Sequence, residues 1–318
     1  MSADSGAPFD VIGVGANSVD YVYRLPAYPE RQGPNAKMRI SSHTLCTGGQ
    51  VATMLCTCAA MGLRAKYIGA TGTDDNGRLV REELTRRGID MDDAVIRDCT
   101  NQFAVIMVDE HAGERIVLWD RAEALLLRPR ELPAEVLALA RAVHVDDVDQ
   151  DAAITAAQIA RHLGRLVSSD IDRLTPRTEE LVSAVTVPIF AEHVPEALTG
   201  ERDFERALRR LRRLNPGLMI VTLGPKGAMA LDGDRVYHEP AFQVDAVDTT
   251  GARDVFRGAL VAALLKGSAA RDAIRFANAA AGVSCTRLGA INGVPAEDDA
   301  ASLMRSQQLA GVPRGMPA

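Results

Sequence analysis

The chain has 318 residues, of which 47% are hydrophobic and 25% are charged, so it can build one large α/β domain with a sizeable core. Its formal net charge of −6 disfavours nucleic acid or an anionic membrane as a partner, because both would be repelled over most of the surface. The five cysteines lack zinc-site spacing, which favours buried free thiols. A polar N-terminal segment, with no run of about 18 consecutive apolar residues anywhere, predicts a cytoplasmic protein without a membrane segment.

Short apolar runs alternate with helical patterns along the chain. Residues 10–16 and 65–72 are typical of strands, while 50–63 and 79–89 carry apolar residues at helical spacing and contain a glycine near the end. Further strand candidates are 142–147, 165–172, 187–192 and 218–224. This β, α, β, α order predicts a mostly parallel sheet with helices on both faces.

Two segments depart from that rhythm. Residues 101–119 resemble two strands joined by a turn at 111–113, and 37–43 is another short strand candidate. Together they predict a small sheet that covers a site. We therefore expect a single domain over 1–318, with a β lid contributed by about 20–45 and 99–121.

Residues 248–259, DTTGARDVFRGA, lead into an apolar helical pattern that ends near Gly267. Gly251 and Ala252 are therefore predicted at a helix start, where unpaired backbone N–H groups and the helix dipole attract an anion. Asp254 lies within the first turn. A carboxylate there either caps the helix or accepts a proton from an alcohol that attacks a phosphoryl group.

The same stretch resembles the second signature of the ribokinase (PfkB) carbohydrate kinase family, whose usual form is DTTGAGD before a helix rich in small residues. VTLGPKG, TGGQVATML and VGANSVD resemble its nucleotide-side turn, its first signature and its sugar-contact loop. The resemblance spans about residues 9–295. It implies a ribokinase-like, three-layer Rossmann-type α/β fold with a small β-sheet lid, ATP at the carboxyl edge of the sheet and a sugar beneath the lid.

The resemblance gives Asp254 the role of catalytic base, with Gly251, Ala252 and Arg253 forming the anion hole. Arg253 replaces the glycine of GAGD. If the backbone has a positive φ there, an L-residue is strained. The side chain then has three readings: it extends into solvent, it clamps ATP or an anionic substrate through paired N–H donors, or it blocks the phosphate site.

The resemblance also implies the sugar contacts. Asp20 matches a hydroxyl acceptor, with a turn at the strand end as the alternative, and Gly48 and Gly49 match the glycines that let the backbone approach the sugar. Asp146 or Asp147 matches a further contact, and the sequence does not choose between them. Trp119 either stacks on a sugar face or packs within the lid.

The nucleotide and ion positions follow from the same resemblance. Thr222, Gly224 and Gly227 match the nucleotide pocket, while Asn278 and Gly289 match the helix and loop that flank the adenine. Mg²⁺ is expected because the β- and γ-phosphates need a bridging counter-charge. The metal-associated positions are Glu192, with Glu196 as the alternative, and Asp248 with Thr250 for a potassium-like ion.

The predicted function is transfer of the γ-phosphoryl group of ATP to a primary hydroxyl of a neutral ketose or pentose. Within the family, the motifs look most like the branch of sulfofructose kinase and ketohexokinase. The alternatives are a nucleoside or sugar-phosphate kinase of the same fold, or a catalytically impaired sugar-binding or regulatory protein in which Arg253 fills the phosphate site. A free lid edge also predicts a homodimer through the lid.

Overall fold

The structure is a computed structural model that describes residues 7–111 and 115–310, with the backbone alone for 308–310. Its strands are β1 (Phe9–Val14), β2 (Ser18–Leu25), β3 (Ser42–Gly48), β4 (Ala65–Ile68), β5 (Ala70–Gly72), β6 (Val95–Arg97), β7 (Phe103–Asp109), β8 (Arg115–Asp120), β9 (Ala140–Val145), β10 (Leu166–Ile171), β11 (Val187–Phe190), β12 (Met219–Thr222), β13 (Ala228–Asp232) and β14 (Arg235–Glu239).

Ten α-helices connect or follow these strands in the described chain. They are α1 (Gln50–Ala60), α2 (Asp75–Arg86), α3 (Ala134–Leu137), α4 (Gln150–His162), α5 (Thr178–Ala184), α6 (Val194–Thr199), α7 (Phe204–Leu211), α8 (Ala252–Leu265), α9 (Ala270–Cys285) and α10 (Glu297–Ala310). The described residues include no helix long and apolar enough to cross a membrane.

The main sheet has eight strands in the order β14-β13-β12-β11-β10-β9-β1-β4. The six strands from β12 to β4 are parallel, and β13 and β14 add an antiparallel edge. Successive side chains along a strand point to opposite faces, so Val11 and Ile12 enter different cores. One core packs α1, α8 and α9 on the sheet, and the other packs α4, α5 and α7. The predicted mostly parallel sheet with helices on both faces is confirmed.

A separate four-stranded sheet has the order β3-β2-β7-β8. Its β2 and β7 are parallel, while the two outer pairings are antiparallel. The strand predicted at 37–43 is wrong in its bounds, since β3 runs over Ser42–Gly48. The two strands predicted over 101–119 are present as β7 and β8, and the turn predicted at 111–113 lies partly outside the described residues.

The fold brings several predicted segments to the carboxyl ends of the parallel strands. The chain leaves β9 at Asp146, β10 at Asp172 and β12 at Leu223, all at the same edge. The N-terminus of α8 approaches this edge, because α8 packs across β9 and β10. Open α/β sheets bind ligands at such an edge, so the residues gathered there are candidates for a ligand site.

Candidate active site

The first turn of α8 is built around a left-handed glycine. Gly251 has φ 76° and ψ −1° and provides no side chain to cap the helix, so first-turn N–H groups can receive an anion. A Cβ at Gly251 would lie 2.7 Å from Cβ of Ala290. Only glycine therefore combines this backbone conformation with this close approach. The predicted helix start at Gly251 and Ala252 is confirmed.

Asp254 lies in the first turn of α8, and its side chain is only 14% exposed. Nη1 of Arg257 donates a hydrogen bond to Asp254 Oδ1 at 3.0 Å. Burial raises the pKa of Asp254 to about 7, which the Arg257 guanidinium opposes and the Asp170 carboxylate reinforces. A buried carboxyl with a pKa near neutrality is a typical feature of a general base.

Arg257 and Asp170 form an ion pair that is out of contact with solvent. Arg257 is the largest fully buried side chain among the described residues, and its Nη2 contacts Asp170 Oδ1. Gln50 Nε2 donates to Asp170 Oδ2 at 2.8 Å. This ion pair was not predicted from the sequence. Its signal is an arginine between Phe256 and Gly258, at the start of the apolar part of the helix.

Arg253 lies within α8 and has a helical backbone. None of the described non-glycine residues has a positive φ. The strain considered for an L-residue at this position is therefore absent. Its guanidinium donates from Nη1 and Nη2 to the two oxygens of Asp172, at 2.8 and 3.2 Å. Burial opposes ionisation of Asp172, but the guanidinium outweighs it and holds the pKa of Asp172 below its ordinary value.

Asp20 lies on β2 near the two glycines of the first signature. It accepts a hydrogen bond from Ser18 Oγ at 3.0 Å, and burial raises its pKa to about 6. A Cβ at Gly48 would stand 2.7 Å from Asp20 Oδ2 and 3.5 Å from Cβ of Ala290. Since a Cβ at Gly251 would also lie 2.7 Å from Cβ of Ala290, the two signatures approach the same alanine.

Gly49 has φ 96°, and a Cβ there would lie 2.4 Å from the backbone of Asn17. The turn from β3 into α1 therefore requires glycine on both conformational and steric grounds.

Asp146 and Asp147 both hold backbone loops. Asp146 is fully buried and accepts from the amides of Ala16 and Val148, at 2.7 and 3.1 Å. Asp147 Oδ2 accepts from the amides that follow β10, at 2.7 and 2.5 Å. Burial raises the two pKa values to about 8 and about 6, respectively. Oδ1 of Asp147 has no hydrogen-bond partner among the described residues.

Trp119 lies on β8, the edge strand of the small sheet, and is 58% exposed. The guanidinium of Arg173, in the loop after β10, stands 5.3 Å from its ring centroid. This contact joins the small sheet to the carboxyl edge of the main sheet. Stacking on a sugar face stays a prediction.

The predicted nucleotide residues lie at the β12–β14 side of the main sheet and beside it. Thr222 ends β12 and donates to Phe190 O at 3.2 Å, while Gly224 and Gly227 have φ values of 54° and 93°. Nδ2 of Asn278 donates to the carbonyls of residues 239 and 240, so its amide group holds the end of β14. Gly289 has φ 81° and donates its amide to Asp248 Oδ2 at 2.8 Å.

The two acids predicted to associate with Mg²⁺ both form ion pairs with basic side chains. Glu192 and Glu196 are paired with Lys226 and Arg202, at 3.5 and 3.3 Å. In residues 7–111 and 115–310 no three His, Cys, Asp or Glu side chains form a group suited to a metal. Mg²⁺ in nucleotide sites is held mainly by phosphates, water and one or two carboxylates.

Asp248 is engaged by the backbone. Its Oδ1 accepts from the amide of Thr250 at 2.9 Å, and Oδ2 accepts from Gly289. Nη1 of Arg115 lies 3.2 and 3.4 Å from the hydroxyls of Thr249 and Thr250. A guanidinium thus stands beside the loop that was predicted to hold a monovalent ion.

A buried carboxylate beside a helix start, at the carboxyl edge of an α/β sheet, is an arrangement suited to phosphoryl transfer. The chain belongs to the pfkB family of carbohydrate kinases, whose family model matches residues 16–297. It is a phosphotransferase that acts on a hydroxyl group, a sugar or nucleoside kinase. The finer resemblance to the branch of sulfofructose kinase and ketohexokinase stays a prediction.

Relatives and a solved structure are similar over nearly the whole chain. A nucleoside kinase of Methanothermobacter thermautotrophicus is 27% identical, covering 94% of this chain and 96% of its own. Fructokinase-1 of Zea mays is 30% identical, with coverages of 92% and 97%. The crystal structure of a ribokinase from Thermotoga maritima is 25% identical, with a TM-score of 0.80 and coverages of 93% and 99%.

Proposed function

We propose that this protein is an ATP-dependent sugar kinase that phosphorylates a primary hydroxyl of a ketose or pentose, with Asp254 as the base. The observation that carries the proposal is the buried Asp254 carboxylate, in the first turn of a helix whose start is open to an anion. Gly251 and Gly48 approach the same Ala290, so the phosphate side and the acceptor side adjoin.

The proposed reaction is a direct in-line transfer. The acceptor oxygen forms a bond to the γ-phosphorus as the bond from that phosphorus to the β,γ-bridging oxygen breaks, and ADP leaves with the bonding electrons. The hydroxyl proton passes to the Asp254 carboxylate. The N–H groups of Gly251 and Ala252 would stabilise the charge on the transferring oxygens, that of Ala252 in exchange for its 3.3 Å hydrogen bond to the Thr249 carbonyl. Asp254 mainly orients the hydroxyl and accepts its proton late, since the transition state is loose.

ATP fits the same edge of the sheet. Its phosphates would meet the open start of α8, and Thr222, Gly224 and Gly227 would border the nucleotide on the β12 side. Asn278 would support the nucleotide pocket by holding the end of β14, and Gly289 would do so by holding the loop that contains Asp248. Mg²⁺ would supply the counter-charge on the phosphates, and Glu192 is the acid that the resemblance assigns to it. Potassium near Asp248 and Thr250 is part of the proposal and is tested below.

Arg253 is best interpreted as part of the anion site. Asp172 binds its guanidinium through both nitrogens, so the side chain does not extend freely into solvent. The side chain is 47% exposed, which leaves it accessible to a phosphoryl oxygen. We propose that it contributes positive charge at the rim of this site.

For the acceptor, we propose contacts from Asp20 and from the backbone at Gly48 and Gly49. Asp147 is favoured over Asp146, because one of its carboxylate oxygens has no partner among the described residues whereas both Asp146 oxygens accept backbone amides. Trp119 would cover the sugar from the small sheet, which we propose acts as a lid.

The lid is also the proposed homodimer contact. All six residues of β8 are exposed, and the strand forms a sheet edge that carries four apolar side chains, Ile116 to Trp119. Light scattering should give the mass of a dimer, and Leu118→Lys should shift it toward the monomer. A monomeric wild-type mass at assay concentration would contradict the dimer.

The deciding experiment measures ADP release with ketoses, aldoses, nucleosides and sugar phosphates, in the presence of Mg²⁺ and with or without K⁺. We expect turnover with a ketose or pentose and a loss of at least ~10²-fold in Asp254→Asn. Turnover only with nucleosides or sugar phosphates would favour that alternative. Tight sugar binding without turnover would favour the impaired, Arg253-blocked protein, and Arg253→Gly should then restore activity.

A further inference from the structure

Two ionic contacts connect the end of β10 to the first turns of α8. Asp170 and Asp172 lie two residues apart, on the same face of the chain as it leaves β10, while Arg253 and Arg257 lie four apart on one side of α8. Two strand residues span ~6.6 Å and four helical residues span ~6 Å, so the spacings match. Asp172 pairs with Arg253 at the rim, and Asp170 pairs with Arg257 below it.

The lower contact reaches the proposed base. Arg257 is fully buried and binds the carboxylates of both Asp170 and Asp254. A buried guanidinium is costly unless its partners are well placed, so this arrangement fixes three side chains together. Asp170 is itself held by Gln50 at the start of α1. The proposed phosphoryl transfer assigns no task to Arg257 or to Asp170.

The geometry distinguishes the two oxygens of the base. Arg257 engages Oδ1 of Asp254 at 3.0 Å, and the described residues direct no hydrogen bond to Oδ2. A planar guanidinium held by a second carboxylate has little rotational freedom. The Asp254 side chain is therefore held in one orientation before any substrate arrives, and Oδ2 stays available to a hydroxyl.

We propose that Arg257 is a positioning residue that, anchored on Asp170, holds the Asp254 carboxylate by Oδ1 and leaves Oδ2 to accept the proton of the acceptor hydroxyl. This inference rests on the proposed function, in which Asp254 is the base.

The charges around Asp254 act in opposite directions. Burial raises its pKa, Arg257 and Arg253 lower it, and Asp170 in β10 and Asp172 just after β10 raise it. On β9, His144 stays neutral, since burial lowers its pKa to about 3. Loss of Arg257 should thus raise the pKa of Asp254, and loss of the Asp170 charge should lower it, by ~1 to 3 units for a close charge.

These opposite signs separate positioning from simple structural support. The experiment measures kcat, KM for ATP and the pH profile of kcat/KM for ADP release, with D-fructose and D-ribose as probes. The variants are Arg257→Met, Arg257→Lys and Asp170→Asn. Arg141→Met is the matched control, because it removes a partly buried arginine of the neighbouring strand β9, which is paired with Asp10 of β1. Thermal unfolding establishes that each variant is folded.

We expect Arg257→Met to lower kcat at least ~10-fold, with KM for ATP nearly unchanged, because a misoriented base mainly slows the chemical step. The acid limb of its kcat/KM profile should move to higher pH, whereas the acid limb of Asp170→Asn should move to lower pH. Arg257→Lys keeps the positive charge, so its acid limb should lie close to that of the wild type. Arg141→Met should match the wild type in both kcat and acid limb. Unchanged kcat and pH limb in folded Arg257→Met would overturn the inference.

A direct titration keeps the test independent of turnover. ¹³C-carboxyl NMR of the apoprotein, with the Asp254 signal assigned from Asp254→Asn, should show the same opposite shifts in Arg257→Met and Asp170→Asn. If the pKa of Asp254 were the same in both variants as in the wild type, the inference would be contradicted even if neither probe sugar is a substrate. Full turnover in Asp254→Asn would instead refute the proposed base, and with it the role proposed for Arg257.

Discussion

The two contacts between β10 and α8 use the same residue types in different surroundings. At the rim, Arg253 and Asp172 are 47% and 32% exposed, and water screens their attraction. Below it, Arg257 and Asp170 are 0% and 1% exposed, so each charge depends on its protein partners. The rim contact is therefore the one that the proposed phosphate could displace, whereas the buried contact is the one proposed to fix geometry.

The largest expected effect comes from breaking the buried contact. Arg257→Met should lower the free energy of unfolding by about 3–5 kcal/mol, because it leaves two buried carboxylates without their counter-charge. The double variant Asp170→Asn with Arg257→Met should lose less than the sum of the single losses. Urea denaturation of all four proteins checks this, and strict additivity would show that the two residues are not coupled.

The pH dependence of stability should show the burial of Asp254. Its folded pKa, about 7, lies above its unfolded value, so the native state binds the extra proton and stability falls as pH rises from about 4 through 7. The slope is at most ~1.4 kcal/mol per pH unit for one group. Asp254→Asn removes this contribution, so its stability relative to the wild type should increase over that window.

Asp10 provides the control for this measurement. Despite the cost of burial, hydrogen bonds from Arg64 and Arg141 hold its pKa at about 2, so its contribution is lost only as pH falls from about 4 through 2. The difference in the free energy of unfolding between Asp10→Asn and the wild type should therefore stay constant between pH 4 and 7. If the difference in the free energy of unfolding between Asp254→Asn and the wild type also stayed constant in this window, the pKa of Asp254 would not be raised.

Gly251→Ala tests how closely the start of α8 is packed. The substitution strains a backbone with φ 76° and places a Cβ 2.7 Å from Ala290, so we expect a loss of about 1–3 kcal/mol of stability and weaker ATP binding. Gly267→Ala is the matched control, since its φ is 89° but nothing lies within 4 Å of the added Cβ. Equal losses would show that strain alone matters, without the contact to Ala290.

The smallest effect on stability is expected at the rim. Arg253→Ala and Asp172→Ala should each change the free energy of unfolding by at most ~1 kcal/mol, because the pair is partly exposed. ATP affinity should fall in Arg253→Ala and should hold or rise in Asp172→Ala, which frees the guanidinium. Calorimetric titration with ATP and Mg²⁺ measures both. Equal ATP affinity in all three proteins would remove Arg253 from the phosphate site.

Much of the fold followed from the sequence, for local reasons. The α8 start was predictable because Gly251 and the small residues that follow it specify a turn and then a helix. The strands β1, β9, β10, β11 and β12 were predictable because a parallel sheet covered on both faces requires continuous apolar runs. The predicted bounds of β3 were wrong, since its first residues are polar and exposed and give little periodic signal, and its register comes from pairing with β2.

The sequence by itself determined which residues carry charge near the helix start, since Arg253, Asp254 and Arg257 are consecutive or one turn apart. It could not determine their partners, because Asp170 and Asp172 lie about 80 residues away and meet them only through the packing of α8 on β10. Tertiary structure alone decided that one arginine stays near solvent while the other is buried against the proposed base. The physical reason is that burial, which sets the strength of an ion pair, depends on neighbours supplied by the rest of the chain.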